Sequence, residues 1–510
     1  ILVSSVVDLA RRQIGLFLGI LLSVSAVVIA LIIYTMKMAK LKQIATLKLI
    51  GAPDRTIIGL IVQQALILGA SGWGIGLVLI LTVKDYFPRR VVLEPFNVMV
   101  LAGIIFVATI AALYFRPFGA RDWHVALAGA CLAWLVSPLS FDDALREVRG
   151  TWNIEAFFFG LMLLQAGADA AGLYARVGAL LTRRPDGSSR VSALLATGTV
   201  TTAVLSNDAT ALILTPAVFA AEASGEALTL ASAFKVTFTA DCASLLLPMS
   251  NPVGLLFYER FGLTWGGWMR DIFPAAATAV VVLGILLVWQ ARRLPEAAAS
   301  SASRRPFDRS EAAAMLVFGV LAIAYVVVGI AGLKLGIVTL SGGLVLAALL
   351  RSLGADTTAY RRTFSPGLLV FVAALVLLVE CVSAAGVLAR LSDVMDALAG
   401  QPLVLAILGS AVAGTILSNV MNNWPAAVLL TAVIAAVPGN QQPLVAGALI
   451  GCTIGGNLTV VGSLSTVFWL SLSSRAGLRI SALHYLQNAW LPTLAGLAAA
   501  SLVASASLLR

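Results

Sequence analysis

Apolar runs of about 20 residues recur along the whole chain and limit what it can fold into, because a run of that length crosses a hydrocarbon core about 30 Å thick as one helix. Hydrophobic residues make up 60% of the 510 residues and charged residues 11%, whereas soluble domains carry about 25% charged residues. The alternating apolar and polar segments of membrane barrels are not found in the sequence. The sequence therefore predicts an all-α polytopic membrane protein.

The loops between these runs indicate an orientation in the membrane. The predicted crossings lie at 13–36, 57–83, 98–115, 123–139, 153–174, 228–257, 272–290, 312–331, 334–350, 366–389, 443–471 and 485–508. Basic residues cluster in short loops, as in residues 37–55, which carry five basic residues and one acid. The positive-inside rule places such loops in the cytoplasm. The net charge of +10 is therefore explained by membrane orientation and does not indicate nucleic-acid binding.

Two apolar segments fit this topology only as hairpins. Residues 192–221 must enter and leave on the cytoplasmic side, and residues 402–437 on the outer side. Each has a polar break near its middle, "LSNDAT" at 205–210 and "LSNVMNNWP" at 417–425. Each arm of the first has about 13 residues, or about 20 Å at 1.5 Å per residue, which is too short to span the membrane. Both segments are predicted to be re-entrant hairpins.

Two further apolar segments are predicted to be discontinuous helices. "LIGCTIGGNLTVVGSLSTVFWL" at 449–470 is too apolar for a surface loop, yet glycine, asparagine and serine residues fill its middle, a poor sequence for an unbroken helix. "TADCASLLLPMSNPVG" at 239–254 has the same character. An interrupted helix exposes backbone amides and carbonyls to a solute, as in the binding sites of secondary transporters.

An internal repeat relates the two halves of the chain. "DAAGLYARV" at 169–177 recurs as "SAAGVLARL" at 383–391, and "NDATALILTPAV" at 207–218 recurs as "NWPAAVLLTAVI" at 423–434, so both motifs return in the same order and at nearly the same separation. The topology from charge places the copies in opposite orientations. The predicted fold is thus an inverted-repeat secondary transporter with two re-entrant hairpins and two discontinuous helices, preceded by two extra transmembrane helices.

From about residue 98 to 508 the chain resembles the ArsB-type arsenite permeases of the ion transporter (ArsB/NhaD) superfamily, whose more distant members include sodium/proton antiporters and dicarboxylate carriers. The motifs that carry the resemblance are "SNDATALILTP" at 206–216, "ADCASLLLPMSN" at 240–251, "MNNWPAAVLL" at 421–430 and "IGCTIGGNLTVVGSLSTVFWL" at 450–470. The last departs from the family pattern at Thr453, where an acid is expected, and at Gly456 and Val460, where prolines are expected.

This resemblance implies a secondary active transporter that exports arsenite or antimonite in exchange for protons by alternating access, on the inner (cytoplasmic) membrane of a bacterium. The departures leave the substrate open, so a sodium/proton antiporter or an anion carrier of the same fold is the nearest alternative.

Residues 1–96 resemble a different protein family. "LKQIATLKLIGAPDRTIIGLIVQQALILGASGWGIGL" at 41–77 is similar to the C-terminal part of an FtsX-like permease domain of the DevC type. The resemblance implies an ABC ATPase partner that binds through residues 37–55, and an ABC exporter subunit is the alternative from another class. The chain has no Walker A pattern, so such an ATPase would be a separate subunit. The predicted regions are 1–96 (FtsX-like fragment), 97–290 (carrier repeat 1), 291–311 (cytoplasmic linker) and 312–510 (carrier repeat 2).

Asp208 and Asp241 are the first candidates for the coupling charge. Both lie at predicted helix breaks inside the membrane, where an unpaired carboxylate is costly and is commonly functional, carrying protons or binding cations. The alternative is that each caps the N-terminus of a half-helix. Glu380, deep in the crossing at 366–389, has no evident partner in the sequence and is a second-rank proton-site candidate.

The remaining candidate residues are neutral amides, hydroxyls and glycines at the four breaks. Amides and hydroxyls both donate and accept hydrogen bonds, which suits an uncharged polyhydroxyl solute such as As(OH)3 or an ion stripped of water. The alternative is that they only satisfy the broken backbone. The full candidate binding set is Ser206, Asn207, Asp208, Asp241, Ser250, Asn251, Asn419, Asn422, Asn423, Gly455, Asn457, Thr459, Gly462 and Ser463.

The sequence favours no cofactor. Four single cysteines without a CxxC pair argue against a disulfide framework or zinc site, and two histidines are too few for a His-rich metal site. The expected partners are arsenite, protons and membrane lipid, together with an ArsA-like ATPase and a second copy of the chain in a homodimer. Nucleic acid is not an expected partner, and no enzymatic activity is expected.

Overall fold

In a computed structural model of the chain, the structure describes residues 95–116, 119–182, 187–221, 226–291, 307–478 and 480–509. Residues 94–116 and 120–510 form one compact unit, and residues 1–93 with 117–119 form another that lies almost entirely outside the described residues. The first two predicted crossings and the basic loop between them therefore lie outside the residues that the structure describes. The division into four regions stays a prediction.

All regular elements of the described residues are helices, which confirms the predicted fold class. The first half contains α1 (Pro95–Phe115), α2 (Asp122–Val136), α3 (Phe141–Gly150), α4 (Trp152–Ala170), α5 (Leu173–Thr182), α6 (Gly187–Val204), α7 (Asn207–Ala221), α8 (Glu226–Ala243), α9 (Pro252–Arg260), α10 (Trp265–Asp271) and α11 (Phe273–Ala291). The second half contains α12 (Arg309–Ile330), α13 (Leu335–Ser352), α14 (Thr358–Thr363), α15 (Pro366–Ala384), α16 (Ala389–Ala399), α17 (Leu403–Met421), α18 (Asn423–Ala435), α19 (Gln442–Thr453), α20 (Leu464–Arg475) and α21 (Ala482–Leu508).

Seven stretches among the described residues are long and apolar enough to cross a membrane: α1, α11, α12, α13, α14 together with α15, α17 and α21. Their outer faces are apolar. In α12, Leu316, Val320, Ile323 and Val327 recur at helical spacing and are 58–66% exposed, while Tyr325 on the opposite face is buried. An exposed apolar stripe on a helix of this length contacts lipid. The chain is a multi-pass membrane protein.

The two halves repeat the same order of helices. Helices α4 and α15 have 19 residues each and both are followed by a glycine in the left-handed region, Gly172 (φ +78°) and Gly386 (φ +80°). The Gly172 amide donates to the Asp169 carbonyl and the Gly386 amide to the Ser383 carbonyl, both at 2.9 Å, as at a glycine C-cap. Each glycine occupies the same place in its copy of the first repeated motif, so the repeat in sequence is a repeat in backbone geometry.

Packing between the halves follows the same relation. Helix α2 packs on α15 while α13 packs on α4, and α7 packs on α20 while α18 packs on α9. The last helices of the two halves, α11 and α21, pack on each other. Each contact thus recurs with the halves exchanged, which is the pattern of a two-fold pseudo-symmetric pair. The opposite orientation of the copies in a membrane stays a prediction.

Both hairpin breaks are shorter than predicted. The first is confined to residues 205–206 and the second to Asn422. The Ser206 hydroxyl accepts a hydrogen bond from the Ala209 amide at 3.1 Å, so helix α7 begins already at Asn207. The arms consequently have 18 and 15 residues in the first hairpin and 19 and 13 in the second. Because α17 is long enough to span a membrane, re-entry of the hairpins stays a prediction.

Both predicted discontinuous helices are interrupted in the structure. After α8 the chain makes a 3₁₀ turn at Pro248–Ser250 before α9 begins. After α19 it makes a 3₁₀ turn at Gly455–Leu458 before α20 begins. We call residues 244–251 the first break and residues 454–463 the second break.

A ladder of glycines sets the spacing of α17 and α19. Gly447, Gly451 and Gly455 follow one another at four-residue intervals and meet α17. A Cβ on Gly447 would lie 2.2 Å from the Ile407 carbonyl oxygen, and a Cβ on Gly451 would lie 2.1 Å from that of Ala411. Small residues at this spacing let helix backbones touch inside a membrane, where van der Waals packing drives helix association.

Replacing Gly451 by alanine should therefore destabilise the protein. The added methyl group meets backbone rather than a flexible side chain, and overpacking of this kind costs about 1–3 kcal/mol. We expect a lower melting temperature for Gly451→Ala in detergent, measured by thermal unfolding. Gly319→Ala is the matched control, because a Cβ at that helical glycine meets nothing within 4 Å. Equal melting temperatures of the two variants would contradict this account of the helix contact.

Candidate solute-binding site

Asp241 lies in the last turn of α8, directly before the first break, and is fully buried. Its Oδ1 accepts hydrogen bonds from Asn207 Nδ2 at 2.9 Å, from Ser463 Oγ at 3.0 Å and from Ser465 Oγ at 2.7 Å. Because a helix C-terminus is the negative end of its dipole, a carboxylate there needs donors from other elements. Asn207 begins α7, and the two serines lie at the start of α20. Asp241 therefore links the first hairpin to both discontinuous helices.

Asp208 lies in the first turn of α7 and is 9% exposed. The N-terminal turn of a helix favours a negative charge. Ser206, not Asp208, caps α7, and Asp241 stands near a C-terminus, so the capping alternative is wrong for both acids. Asn207, the residue directly before Asp208, is the one that donates to Asp241, so both acids lie at the same junction of helices.

Asn419 holds the second break in shape. Its Nδ2 donates to the Gly455 carbonyl at 2.7 Å and to the Thr415 carbonyl at 2.8 Å. Its Oδ1 accepts from the Thr459 amide at 2.8 Å. One buried amide side chain thus supplies both a donor and an acceptor to backbone groups that have lost their helical partners.

Asn422 forms the whole turn of the second hairpin. Its φ of +78° and ψ of 154° lie in a region that is almost restricted to glycine, so the backbone of this turn is strained and must be held by the contacts around it. Its Nδ2 donates to the Val461 carbonyl at 2.9 Å, and its Oδ1 accepts from the Trp424 amide at 3.3 Å. The break itself is closely folded, because a Cβ on Gly462 would lie 2.1 Å from the Gly456 carbonyl oxygen.

Ser250 and Asn251 stabilise the first break. Ser250 Oγ donates to the Ala203 carbonyl of α6 at 3.2 Å. Asn251 Nδ2 donates to Ser244 Oγ at 3.1 Å, and Asn251 Oδ1 accepts from the Val253 amide at 2.9 Å, which caps α9. For these two residues the contacts are those of the alternative in which polar groups satisfy broken backbone.

Several buried oxygens of the candidate set accept no hydrogen bond from any described residue. They are Asn207 Oδ1, Asp208 Oδ1, Asp241 Oδ2, Asn457 Oδ1 and Thr459 Oγ1. Buried polar atoms are nearly always satisfied in proteins, so a group of unsatisfied ones needs an explanation such as a bound solute or water. Asn423, in the first turn of α18, is buried as well.

The charge of the site is confined to the first half. At the position of the second repeated motif that corresponds to Asp208, the second half has Trp424. Asp241 is third from the end of α8, and the residue third from the end of α19 is Gly451. The pseudo-symmetric frame therefore carries two carboxylates on one side and neutral groups on the other.

Two residues near the site were missed by the reasoning from sequence. Ser465 makes the shortest of the three hydrogen bonds to Asp241, and its position two residues after Ser463 was the available signal. Lys235 is 3% exposed in α8, six residues before Asp241. A lysine within an otherwise apolar predicted crossing is a functional signal in its own right.

Glu380 is not without a partner, so that expectation was wrong. Arg260 Nη2 lies 3.0 Å from its Oε1, and the two residues are 120 positions apart, which no local sequence pattern could reveal. The adjacent Glu259 pairs with Lys334 and accepts a hydrogen bond from Asn153 Nδ2 at 3.0 Å. The last turn of α9 is thus bound by one acid and one base to α4, to Lys334 directly before α13 and to α15. Glu380 is therefore removed from the proton-site candidates.

The sequence of residues 115–451 matches the family model described as citrate transporter. The chain belongs to the citrate transporter family. The matched stretch contains both hairpins, the whole first break and the glycines Gly447 and Gly451 of the ladder. The four breaks described above therefore lie mostly within the part of the chain that defines this transporter family.

Several curated relatives match most of the chain. The arsenical pump membrane protein of Escherichia coli K12 is 28% identical over 411 residues, which is 78% of this chain and 96% of that protein. That of Yersinia enterocolitica has the same identity and coverage. An uncharacterized transporter of Mycobacterium tuberculosis is 25% identical over 431 residues, or 79% and 97% of the two chains. The predicted resemblance to the arsenite permeases is confirmed.

One solved structure and a second family model also match the chain. The YdaH transporter of Alcanivorax borkumensis has the same fold, with a TM-score of 0.50, 15% identity and coverage of 80% of this chain and 98% of that one. Residues 15–117 match the model for the C-terminal part of FtsX-like permeases. The predicted FtsX-like resemblance is confirmed, and the match extends beyond the predicted limit at residue 96.

Removing the Asn419 side chain should destabilise the second break. Asn419→Ala removes the side-chain donor to the Gly455 carbonyl and the acceptor of the Thr459 amide, and an unsatisfied buried group costs about 1–3 kcal/mol. Unfolding of the purified protein in mixed micelles measures the loss of free energy. Asn488→Ala is the control, since that amide donates to the His484 carbonyl at an exposed site and its loss should cost less than about 0.5 kcal/mol. Equal losses in the two variants would show that Asn419 does not support the break.

Proposed function

We propose that the protein is a secondary active transporter that exports arsenite, and antimonite with it, in exchange for protons. The observation that carries the proposal is the pair of buried carboxylates, Asp208 and Asp241, at the point where one hairpin meets both discontinuous helices. Each has an oxygen that accepts no hydrogen bond from the described residues. A carboxylate in such a place can bind a proton and release it again, which is the step that proton-coupled transport requires.

The charge of the breaks favours a neutral solute over citrate. Neither the first break nor the second contains a lysine or an arginine. The acids nearest to them, Asp208 and Asp241, can each carry a negative charge. A multiply charged anion in either break would therefore meet the carboxylates of Asp208 and Asp241, while the basic residue nearest to Asp241 on α8, Lys235, lies six residues away along the helix. The neutral triol As(OH)3 can instead exchange hydrogen bonds with the free oxygens of Asn207, Asn457 and Thr459. The names of the arsenical pump relatives support the same solute.

The cycle proceeds by alternating access around the two breaks. With the solute bound from the cytoplasm, the carboxylates release their proton load, and the site reopens outward. Protonation of the carboxylates from the outside then returns the site to its inward-facing state. The inner membrane of a bacterium is the proposed location, since that membrane maintains the proton gradient. An ArsA-like ATPase, an ABC ATPase bound to residues 37–55 and a homodimer stay predictions.

Two alternatives give different results in transport experiments. A sodium/proton antiporter of the same fold would protect cells against sodium and not against arsenite. An ABC exporter subunit, suggested by the FtsX-like match, would require ATP and would co-purify with an ATPase. The proposed carrier works without ATP and stops when a protonophore collapses the gradient.

The decisive measurement is arsenite uptake into everted membrane vesicles driven by an acid-inside proton gradient. We expect the wild type to accumulate arsenite and both Asp208→Asn and Asp241→Asn to fall to the level of vesicles without the protein, because a neutral amide cannot carry the proton. Asp169→Asn is the matched control, since Asp169 is an exposed acid in α4, and it should transport like the wild type.

Failure of the wild type to accumulate arsenite would overturn the proposed substrate. Proton release on addition of sodium to the same vesicles would then favour the antiporter. Full arsenite transport by Asp241→Asn would instead remove the carboxylate from the coupling mechanism while leaving the solute in place.

A further inference from the structure

Asp241 Oδ1 and the hydroxyl oxygens of Ser463 and Ser465 form a closed triangle. Ser463 Oγ lies 3.0 Å and Ser465 Oγ 2.7 Å from Oδ1, and the two hydroxyl oxygens are 2.8 Å apart. All three residues are fully buried. Each side of the triangle is short enough for a hydrogen bond, but the two hydroxyls bring only two protons. One side of the triangle is therefore always without a hydrogen bond.

The charge on Asp241 decides which side that is. Hydrogen bonds to an ionised carboxylate are about twice as strong as those between neutral groups, so both serines then donate to Oδ1, beside Asn207 Nδ2 at 2.9 Å. A proton taken up by Asp241 goes to Oδ2, because that oxygen accepts no hydrogen bond from any described residue. Oδ1 is then a neutral carbonyl oxygen whose two lone pairs are filled by two donors. The third donor makes a better bond to the other serine.

Ser463 is the serine that turns. Its bond to Oδ1 is the longer of the two. It stands at the N-cap position of α20, where a serine side chain usually accepts a hydrogen bond from the backbone of the first helical turn, yet its side chain makes no such bond. The Ser463 hydroxyl is therefore not held by its own helix. When it donates to Ser465 instead, Ser465 still connects α20 to Asp241.

The place of Ser463 in the chain makes this exchange of partners a change in how the two halves are connected. Ser463 is the last residue of the second break. Asn419 and Asn422 tie that break to α17 and to the turn after it, which belong to the same half of the chain. Ser463 ties the break to Asp241, in the first half. The second break is thus bound to the other half by a hydrogen bond whose strength depends on the charge of Asp241.

We propose that Ser463 and Ser465 are positioning residues that transmit the protonation of Asp241 to the second break, and we call this pair the serine switch. The inference rests on the proton coupling of the proposed function. With Asp241 ionised, the Ser463 hydroxyl holds the second break against α8. When the proton of the cycle forms an O–H bond at Oδ2, Ser463 turns to Ser465 and the break is released from the first half. The serine protons stay on their own oxygens, and loss of the proton from Oδ2 restores the first arrangement.

A purely structural role of the two serines predicts different behaviour. Serines that only satisfy a buried carboxylate would keep the same bonds whatever its charge, and removing either one would loosen the second break. In the serine switch the two residues act in opposite directions, because Ser463 holds the break and Ser465 offers Ser463 another partner. Loss of Ser465 should therefore keep the break bound to Asp241 even when Asp241 is neutral.

Few other ionisable groups lie near Asp241. Helix α8 packs on α6, α7, α11, α20 and α21 and on the second break. Of these, α7 contributes Asp208 and α21 contributes Tyr485 with the histidine before it, while α8 itself has Lys235 and Cys242 within two turns. Helix α11 has no ionisable residue, and the single arginines of α6 and α20 stand at the ends of those helices away from Asp241. Asp241→Asn removes one charge and leaves all of these in place.

Hydrogen–deuterium exchange of the second break tests the serine switch. Purified protein in liposomes is placed in heavy water at one alkaline pH, and mass spectrometry follows the backbone amides of residues 454–463. Asp241→Asn stands for the neutral acid, because an amide keeps the acceptor oxygen without the charge. We expect these amides to exchange about tenfold faster in Asp241→Asn than in the wild type, as for loss of one hydrogen bond to a charged group.

The two serines should give opposite results in this measurement. Ser463→Ala should exchange about as fast as Asp241→Asn. Ser465→Ala should stay slow, and adding it to Asp241→Asn should return that variant to the wild-type rate, because Ser463 then has no other partner. Ser473→Ala is the matched control, since it removes a buried hydroxyl of the same helix that donates to the Trp469 carbonyl at 2.8 Å. It should change the rate neither in the wild type nor in Asp241→Asn.

Ser465→Cys repeats the measurement if Ser465→Ala fails to fold, because a thiol of nearly the same size is only a weak acceptor. Equal exchange in the wild type and Asp241→Asn would overturn the serine switch. So would fast exchange in the double variant, or equally fast exchange in Ser463→Ala and Ser465→Ala.

This readout depends neither on the solute nor on a proton gradient. If vesicles accumulate arsenite but the wild type and Asp241→Asn show equal amide exchange, the proposed function stands and the serine switch fails. If vesicles move no arsenite but the double variant recovers slow amide exchange, the proposed function fails and the serine switch stands.

Discussion

Backbone that leaves its helix inside a membrane-embedded protein must find hydrogen-bond partners there, because no bulk water is at hand. The rest of the site depends on this constraint. Asn419 and Asn422 satisfy the second break from the second hairpin, while Ser250 ties the first break to the first hairpin. Each hairpin is thus the hydrogen-bonding partner of the break beside it. The few oxygens left over after this matching are the ones available to a solute.

The duplicated frame supplies geometry, and substitutions within it supply chemistry. The exchanged contacts of the two halves bring the starts of α7 and α20 to the same carboxylate. The counterparts of the two acids are an aromatic residue and a glycine, and the glycine is required for the approach of α17 and α19. An acid at Gly451 would be excluded by that packing, so the ladder itself explains why charge is confined to one half.

Much of this arrangement could be predicted from sequence because helix-weakening residues in apolar runs are a local signal. The repeat, both broken helices and the hairpin turns follow from such signals. The hairpin arms were underestimated because the Ser206 cap keeps the polar residues after it helical. Partners from distant parts of the chain, such as Arg260 for Glu380 and Ser465 for Asp241, could not be predicted. The candidate residues were identified as a set, whereas their division into backbone partners and free oxygens required the fold.

The ion pairs in the last turn of α9 also determine how the first break, at the other end of this helix, is oriented. Glu259 and Arg260 are adjacent and of opposite charge, and they pair with Lys334 on one side and Glu380 on the other. Turning the helix by one residue, about 100°, would set acid against acid. The two ion pairs are therefore compatible with only one rotation of α9 about its axis. Asn251, which caps the opposite end of this short rigid rod, is oriented toward Ser244 by charges that lie two turns away.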